Sequence, residues 1–175
     1  MPRFPLLALL AVALCGCSPP QAGSQSPSSP GSSGSGPGPG IATESARVVF
    51  VIDGDTIVVD RGAGRERVRY VGIDAPERDE CYGSEATSAN AGLVEDRTIL
   101  LERDFSETDR FGRLLRYVWA EVDGAWILVN LELVRGGFAE AGDYPPDEAR
   151  DEDLESAESA ARSEDRGLWR GCPAR

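Results

Sequence analysis

Between residues 65 and 73, polar and apolar residues alternate with the two-residue period of a β-strand. Five segments rich in β-branched and aromatic residues predict strands: 46–52, 56–60, 65–73, 98–105 and 114–122. Asp53 and Gly54, between the first two segments, form a hairpin signal. The third segment places Val68 and Tyr70 on one face of its strand and Arg69 on the other.

Three other segments repeat their apolar residues with the period of an α-helix: 84–97, 128–135 and 147–166. The second stops at Gly136 and the third ends at Gly167, a residue type that commonly follows a helix. Strands first, with helices interleaved later, favour an α+β fold in which helices pack on a small curled sheet. A five-stranded barrel of the OB type is compatible with this order, but periodicity alone does not single it out.

The first 17 residues have the plan of a secretory signal, with one Arg before an apolar run that is too short to span a bilayer. The stretch Leu14-Cys15-Gly16-Cys17 resembles a bacterial lipobox, in which the chain is cut before a Cys that is then acylated. Cys17 fits that position best. The alternative is an ordinary cleaved signal with two incidental cysteines. We therefore expect an exported protein, either anchored to the cell envelope through Cys17 or secreted.

Residues 18–41 are almost entirely Ser, Gly, Pro and Gln, with too few apolar side chains to offset the entropy lost on ordering. This composition predicts a disordered tether. Residues 42–175 contain no internal repeat and no second linker, so we expect them to form one domain.

The overall charge is −12, from 18 Arg against 30 Asp and Glu residues, and the chain has no Lys and no His. Proteins that hold nucleic acid by bulk charge alone are usually basic, so that class is disfavoured. The absence of His excludes Ser-His-Asp hydrolysis and His-ligated zinc. Acid–base chemistry would fall to carboxylates, Tyr or Cys, and any metal would be held by oxygen ligands, which favours Ca²⁺ or Mg²⁺.

Three segments combine acidic and basic side chains at turns or strand ends: 52–56, 69–77 and 109–117. Taken singly, they have ordinary structural alternatives, namely a hairpin turn, a solvated polar loop and a hairpin with surface Arg. Taken together, two Asp can hold a hard cation, a Glu can deprotonate a water, and two Arg can fork onto phosphodiester oxygens. These are the parts that in-line attack on phosphorus requires.

The motifs IDGDT, RYVGIDAPE, CYGSEA, DRFGRLLRYVW, NLELVRGGFA and GLW follow one another over about residues 46–172. In this order they resemble the staphylococcal nuclease (thermonuclease) family. The resemblance implies an α+β fold, a five-stranded OB-fold barrel with three packed helices. It also implies Ca²⁺-dependent endonuclease cleavage of DNA and RNA that leaves 3′-phosphate ends.

The same resemblance assigns the acidic residues of the site. Asp55 and Asp74 match the carboxylate ligands of calcium, and the main-chain oxygen of Ala75 matches the third protein ligand. The family's usual Thr is replaced by Ala at that third position. A main-chain oxygen can still act as a ligand after this change of side chain. Glu77 matches the general base that acts on a water.

The basic residues are carried over in the same way. Arg69 and Arg113 match the guanidiniums that bind the scissile phosphate and stabilise the transition state. The Lys and Tyr residues that hold the terminal phosphate and base in the family are not clearly kept. Arg110 is the candidate to replace one Lys, and Tyr144 the candidate to replace one Tyr, within a segment (140–146) that aligns with a gap. These departures should affect substrate affinity more than the chemical step.

Two cysteines remain beyond the lipobox, Cys81 and Cys172. An exported domain with two thiols favours one intramolecular disulfide, the alternatives being two free thiols or a bond from Cys81 to a second chain. The acidic run 147–165 is most simply a solvated helix face, with weak binding of additional calcium as the other possibility.

The sequence therefore predicts a monomeric, exported or surface-anchored Ca²⁺-dependent nuclease with DNA and RNA as substrates and no implied protein partner. The competing class is a non-catalytic nucleic-acid-binding or interaction module of the same fold, which would have lost the acidic residues that this chain keeps. The run 147–165 alone holds nine acids against two Arg, whereas 61–69 holds four Arg and one Glu. We therefore expect weak substrate binding that requires calcium, with an affinity that changes little with salt concentration.

Overall fold

The computed structural model describes residues 42–173. The predicted signal segment, the tether and Cys17 lie outside the described residues. The helices and strands are, in chain order, β1 (Thr43–Val51), β2 (Thr56–Asp60), β3 (Arg65–Tyr70), β4 (Ile73–Asp74), α1 (Gly83–Val94), β5 (Thr98–Glu102), β6 (Leu114–Val122), β7 (Ala125–Leu128), α2 (Val129–Arg135), β8 (Glu140–Ala141), α3 (Asp151–Ser163) and α4 (Leu168–Gly171).

Five of the strands close into a barrel. The antiparallel order β3-β2-β1-β5-β6 is completed by parallel pairing of β3 with β6, in which Val68 lies opposite Leu114 and Tyr70 opposite Arg116. Apolar side chains alternate along these strands and fill the interior, where Val68 and Tyr70 are fully buried. The predicted five-stranded barrel with three packed helices is confirmed, and the four-residue α4 adds to it.

The strand predicted over 65–73 is interrupted by Gly72. Gly72 has φ 78°, which favours glycine, and a Cβ there would lie 2.6 Å from Cδ1 of Leu154 in α3. β3 therefore ends at Tyr70, and the chain leaves the barrel to form β4, where Ile73 pairs with Ala141 of β8. This turn carries the polar segment that follows β3 to one end of the barrel.

The third helix begins later than its apolar period suggests, at Asp151 rather than at residue 147. The Asp147 side chain is buried and accepts hydrogen bonds from the main-chain N–H groups of Phe105 and Ser106, at 2.9 and 2.7 Å. These bonds tie it to the β5–β6 connection instead of to the helix. Farther on, α3 buries Leu154 as the period predicts. No helix among residues 42–173 is both long and apolar enough to cross a membrane.

Cys81 and Cys172 form the expected intramolecular disulfide, with Cα atoms 5.9 Å apart. It joins the loop that follows β4 to the end of α4, across 91 residues of sequence. The buried Leu168 of α4 also donates its N–H to the Gly137 carbonyl at 2.8 Å, so the disulfide adds a covalent link to a chain end that is already packed.

Reduction of this disulfide should destabilise the protein. A bond that spans 91 residues restricts the unfolded chain by an entropic stabilisation on the order of 4 kcal/mol. We expect dithiothreitol to lower the Tm of the full-length protein by about 10 °C. The double variant Cys81→Ser/Cys172→Ser should melt at that lower temperature with or without reductant. An unchanged Tm in dithiothreitol would contradict a stabilising role.

Candidate active site

Two carboxylates from separate segments meet at one guanidinium. Nη1 of Arg69 forms a salt bridge with Oδ2 of Asp55, and Nη2 donates a hydrogen bond to Oδ1 of Asp74 at 2.8 Å. Asp55 lies just before β2, Arg69 is in β3 and Asp74 ends β4. The pairing of Thr56 with Arg69 places the first two side by side. The structure thus brings together three of the predicted site residues at one end of the barrel.

Burial determines the ionisation behaviour of this cluster. It raises the pKa of the Asp55 carboxyl to about 6, against the opposing effect of the Arg69 guanidinium. Burial alone would lower the pKa of Arg69, but the neighbouring Asp55 carboxylate raises it, so Arg69 stays charged. The side chain of Asp74 is 67% exposed, whereas that of Asp55 is only 7% exposed. Asp74 is thus the carboxylate that remains open to solvent.

The loop before β2 packs directly on the segment that follows β4. A Cβ at Gly54 would lie 2.5 Å from Cβ of Ala75 and 2.9 Å from Cβ of Ala86, so this approach requires glycine. The Ala75 N–H donates to Oδ2 of Asp55 at 2.7 Å. Asn90 of α1 donates from Nδ2 to the main-chain oxygen of Asp53 at 2.9 Å. These contacts fix Asp55 relative to Ala75.

Glu77 lies on the loop between β4 and α1, and its side chain is exposed. Its N–H donates to Oε2 of Glu80 at 3.0 Å, and its carbonyl accepts from the Glu80 N–H at 2.9 Å. A Cβ at Gly83 would lie 1.8 Å from the Glu77 carbonyl oxygen. Arg78 ties the loop to the end of β1 by donating from Nε to the Ile52 carbonyl at 2.5 Å. The main chain at Glu77 is therefore held, while its carboxylate is open to water.

Arg113 is positioned by a turn immediately before β6. Its Nε donates to Oδ2 of Asp109 at 2.7 Å, and its own N–H donates to Oδ1 of the same carboxylate at 2.9 Å. Burial alone would raise the pKa of Asp109, but the hydrogen bonds from Arg113 hold it below its ordinary value. Because Val68 pairs with Leu114, Arg113 precedes β6 on the strand next to β3. Asp109 was not predicted as a site residue, although an Asp that opens a turn four residues before an Arg was a usable signal.

The two tentative substrate-binding residues are placed differently. The Tyr144 hydroxyl accepts a hydrogen bond from Nη2 of Arg69 at 3.3 Å and lies 3.3 Å from the Ile73 carbonyl, to which it donates. Burial raises the pKa of this hydroxyl, and Arg69 opposes the change. Arg110 is exposed, with its guanidinium 4.7 Å from the ring centre of Phe111. Tyr144 thus belongs to the carboxylate cluster, whereas Arg110 lies with the turn that carries Arg113.

The donors of the expected metal site are all oxygens. Asp55 and Asp74 supply carboxylates that already share one cationic partner, and the N–H of Ala75, whose main-chain oxygen is the third expected ligand, donates to Asp55. Within residues 42–173, no group of three or more Asp, Glu, His or Cys side chains is arranged to hold a metal ion. Two carboxylates with one main-chain oxygen still fit a hard cation such as Ca²⁺, which completes its coordination with water or substrate oxygens.

Comparison with known proteins identifies the family. The family described as staphylococcal nuclease homologue (SNase) matches residues 67–171. A thermonuclease of Staphylococcus hyicus is 33% identical over 132 residues, which cover 72% of this chain and 76% of that protein. A micrococcal nuclease of Shigella flexneri is 34% identical over 138 residues, 75% of this chain and 76% of that protein. An uncharacterized endonuclease of Escherichia coli is 39% identical over 124 residues, 70% of this chain and 75% of that protein. The chain therefore belongs to the staphylococcal nuclease homologue family, a family of nucleases.

Proposed function

We propose that this protein is a Ca²⁺-dependent endonuclease that hydrolyses phosphodiester bonds of DNA and RNA and leaves 3′-phosphate ends. The observation that carries the proposal is the convergence of Asp55 and Asp74 on Arg69, in a chain that belongs to a nuclease family. One buried and one open carboxylate beside a charged guanidinium are suited to a site that holds a cation and a phosphate together.

In the proposed reaction a water molecule attacks phosphorus in line with the bond to the 5′ oxygen. Glu77 accepts a proton from this water as it attacks, which its open carboxylate allows. Arg69 and Arg113 donate hydrogen bonds to the non-bridging oxygens and balance the charge that accumulates on them. The P–O5′ bond breaks, the 5′ oxygen takes a proton from solvent, and the phosphate stays on the 3′ side.

Asp55, Asp74 and the main-chain oxygen of Ala75 would hold Ca²⁺. Once bound, the ion would supply positive charge beside the phosphate and stabilise the charge that develops during attack. Tyr144 would hold the Arg69 guanidinium in place, because its hydroxyl lies between Nη2 and the Ile73 carbonyl. Arg110, exposed beside Phe111, would contact a phosphate farther along the substrate.

The proposal extends to location and assembly. The signal-like plan of residues 1–17 and the fit of Cys17 to a lipobox support export with a lipid anchor on the envelope. The polar composition of residues 18–41 suits a tether between such an anchor and the enzyme, which would act as a monomer.

Removal of calcium should abolish cleavage. We expect the full-length protein to degrade plasmid DNA and RNA in Ca²⁺ and to be inactive in EGTA, with recovery when Ca²⁺ is restored. Asp74→Asn, which removes one ligand charge, should raise the Ca²⁺ concentration for half-maximal activity by at least about tenfold. Asp79→Asn, a change at an exposed carboxylate on the neighbouring loop, is the matched control and should behave like the wild type. Persistent cleavage in EGTA would overturn the calcium dependence, and absence of any cleavage would favour a binding module.

A further inference from the structure

A row of exposed and half-buried side chains crosses the outer face of β1, β2 and β3. Phe50 of β1 pairs with Val58 of β2, and Val58 pairs with Arg67 of β3. Paired residues project from the same face of a sheet, so Phe50 and Arg67 lie on one face with Val58 between them. The register shifts between Val48 and Phe50, and this bulge turns the Phe50 ring outward, where it is 56% exposed.

The row continues into the candidate active site. Arg69 follows Arg67 by two residues on β3 and projects from the same face, about 7 Å farther along the strand. On the other side, Val68 pairs with Leu114, so the parallel register brings Arg113 level with Arg67. Phe50, Val58, Arg67 and Arg113 are called the outer row below. The outer face of the sheet therefore carries an exposed aromatic ring as well as both guanidiniums that are proposed to bind the scissile phosphate.

The two guanidiniums of the row differ in their acidic partners. Arg61 on the same segment is paired with Glu44 and Glu66, and Arg113 is paired with Asp109. Arg67 is exposed and forms no ion pair with any residue that the structure describes. An exposed phenyl ring suits a ligand with flat rings, and an unpaired guanidinium suits one with negative charge.

We propose that the outer row binds the nucleotides of a single strand next to the bond that is cut. This inference rests on the proposed function and extends its substrate site. Arg67 contacts the phosphate adjacent to the one at Arg69, and a base stacks on the Phe50 ring, two strands away. Neighbouring strands are about 4.8 Å apart, so β1 lies two such spacings from β3. This separation matches the distance from a backbone phosphate at Arg67 to a base at Phe50. A duplex keeps its base faces stacked inside, so only an unpaired strand can use Phe50 in this way.

Binding measured without chemistry tests the outer row directly. In Ca²⁺ and in a Glu77→Gln background, which suppresses cleavage, fluorescence anisotropy of a labelled single strand of about 12 nucleotides should show about fivefold to tenfold weaker binding for Phe50→Ala and for Arg67→Ala. Arg67→Ala should also reduce the dependence of log K on log salt by about 0.7, the value for one lost phosphate contact. Phe105→Ala and Arg135→Ala remove a ring that is even more exposed than Phe50 and an exposed guanidinium, neither of them on β1, β2 or β3, and should bind like the wild type.

Cleavage assays separate this inference from the proposed function. With Ca²⁺, Phe50→Ala and Arg67→Ala should raise KM for the long single strand and leave the cleavage of a dinucleotide-length substrate unchanged. If the wild type cleaves but these variants bind like the controls, the proposed role of the outer row is wrong and the proposed function stands. If the wild type cleaves nothing but the variants lose binding, the row stands and the function is wrong. Equal losses on a duplex, or no binding by the wild type, would also overturn the row.

Discussion

Arg69→Ala should reduce kcat/KM on DNA by about a thousandfold or more, and it should also destabilise the fold. The activity falls because the guanidinium that would balance charge on the phosphate is lost. Stability falls because the side chains of Arg69 and Asp55 are only 10% and 7% exposed, and removal of one partner leaves a buried carboxylate unpaired. That change costs about 3–5 kcal/mol, which urea unfolding would measure.

Arg69→Lys separates the two effects. The ammonium group can still pair with Asp55, so most of the free energy of unfolding should return. Its single nitrogen cannot replace the two nitrogens by which the planar guanidinium contacts Asp55 and Asp74, and it cannot fork onto a phosphate, so activity should remain low. Full activity in Arg69→Ala, or full rescue of activity in Arg69→Lys, would contradict the role given to this side chain.

Much of the barrel could be predicted because each strand is marked by a pattern within a short stretch of sequence. β2 and β6 coincide with segments predicted from their β-branched and aromatic residues, and the Asp53-Gly54 signal does join β1 to β2. The parallel closure of β3 on β6 was implied only by the family resemblance, because it pairs residues far apart in sequence. β7 was missed because its apolar residues run directly into α2 without a polar break at Leu128.

The candidate site was predicted from the order of its motifs, and the structure shows which side chains of these motifs contact one another. Asp55, Arg69 and Asp74 were named from three polar positions, but their mutual contact depends on the break at Gly72. The close approach at Gly54 could not be foreseen, because a glycine in a turn signal does not reveal which backbone or side chain lies against it. Such contacts depend on the packing of distant segments and carry no periodic signal.

Glu77→Gln should lower kcat by about 10²- to 10⁴-fold while KM and Tm stay close to those of the wild type. The amide keeps the shape of the carboxylate but cannot take a proton from water, and the side chain is exposed, so the fold loses little. The main chain that holds Glu77, through Glu80 and the close approach at Gly83, is unchanged by the substitution. Asp79→Asn, on the same exposed loop, removes the same charge and should retain full kcat. A kcat in Glu77→Gln equal to that of Asp79→Asn would show that another group accepts the proton.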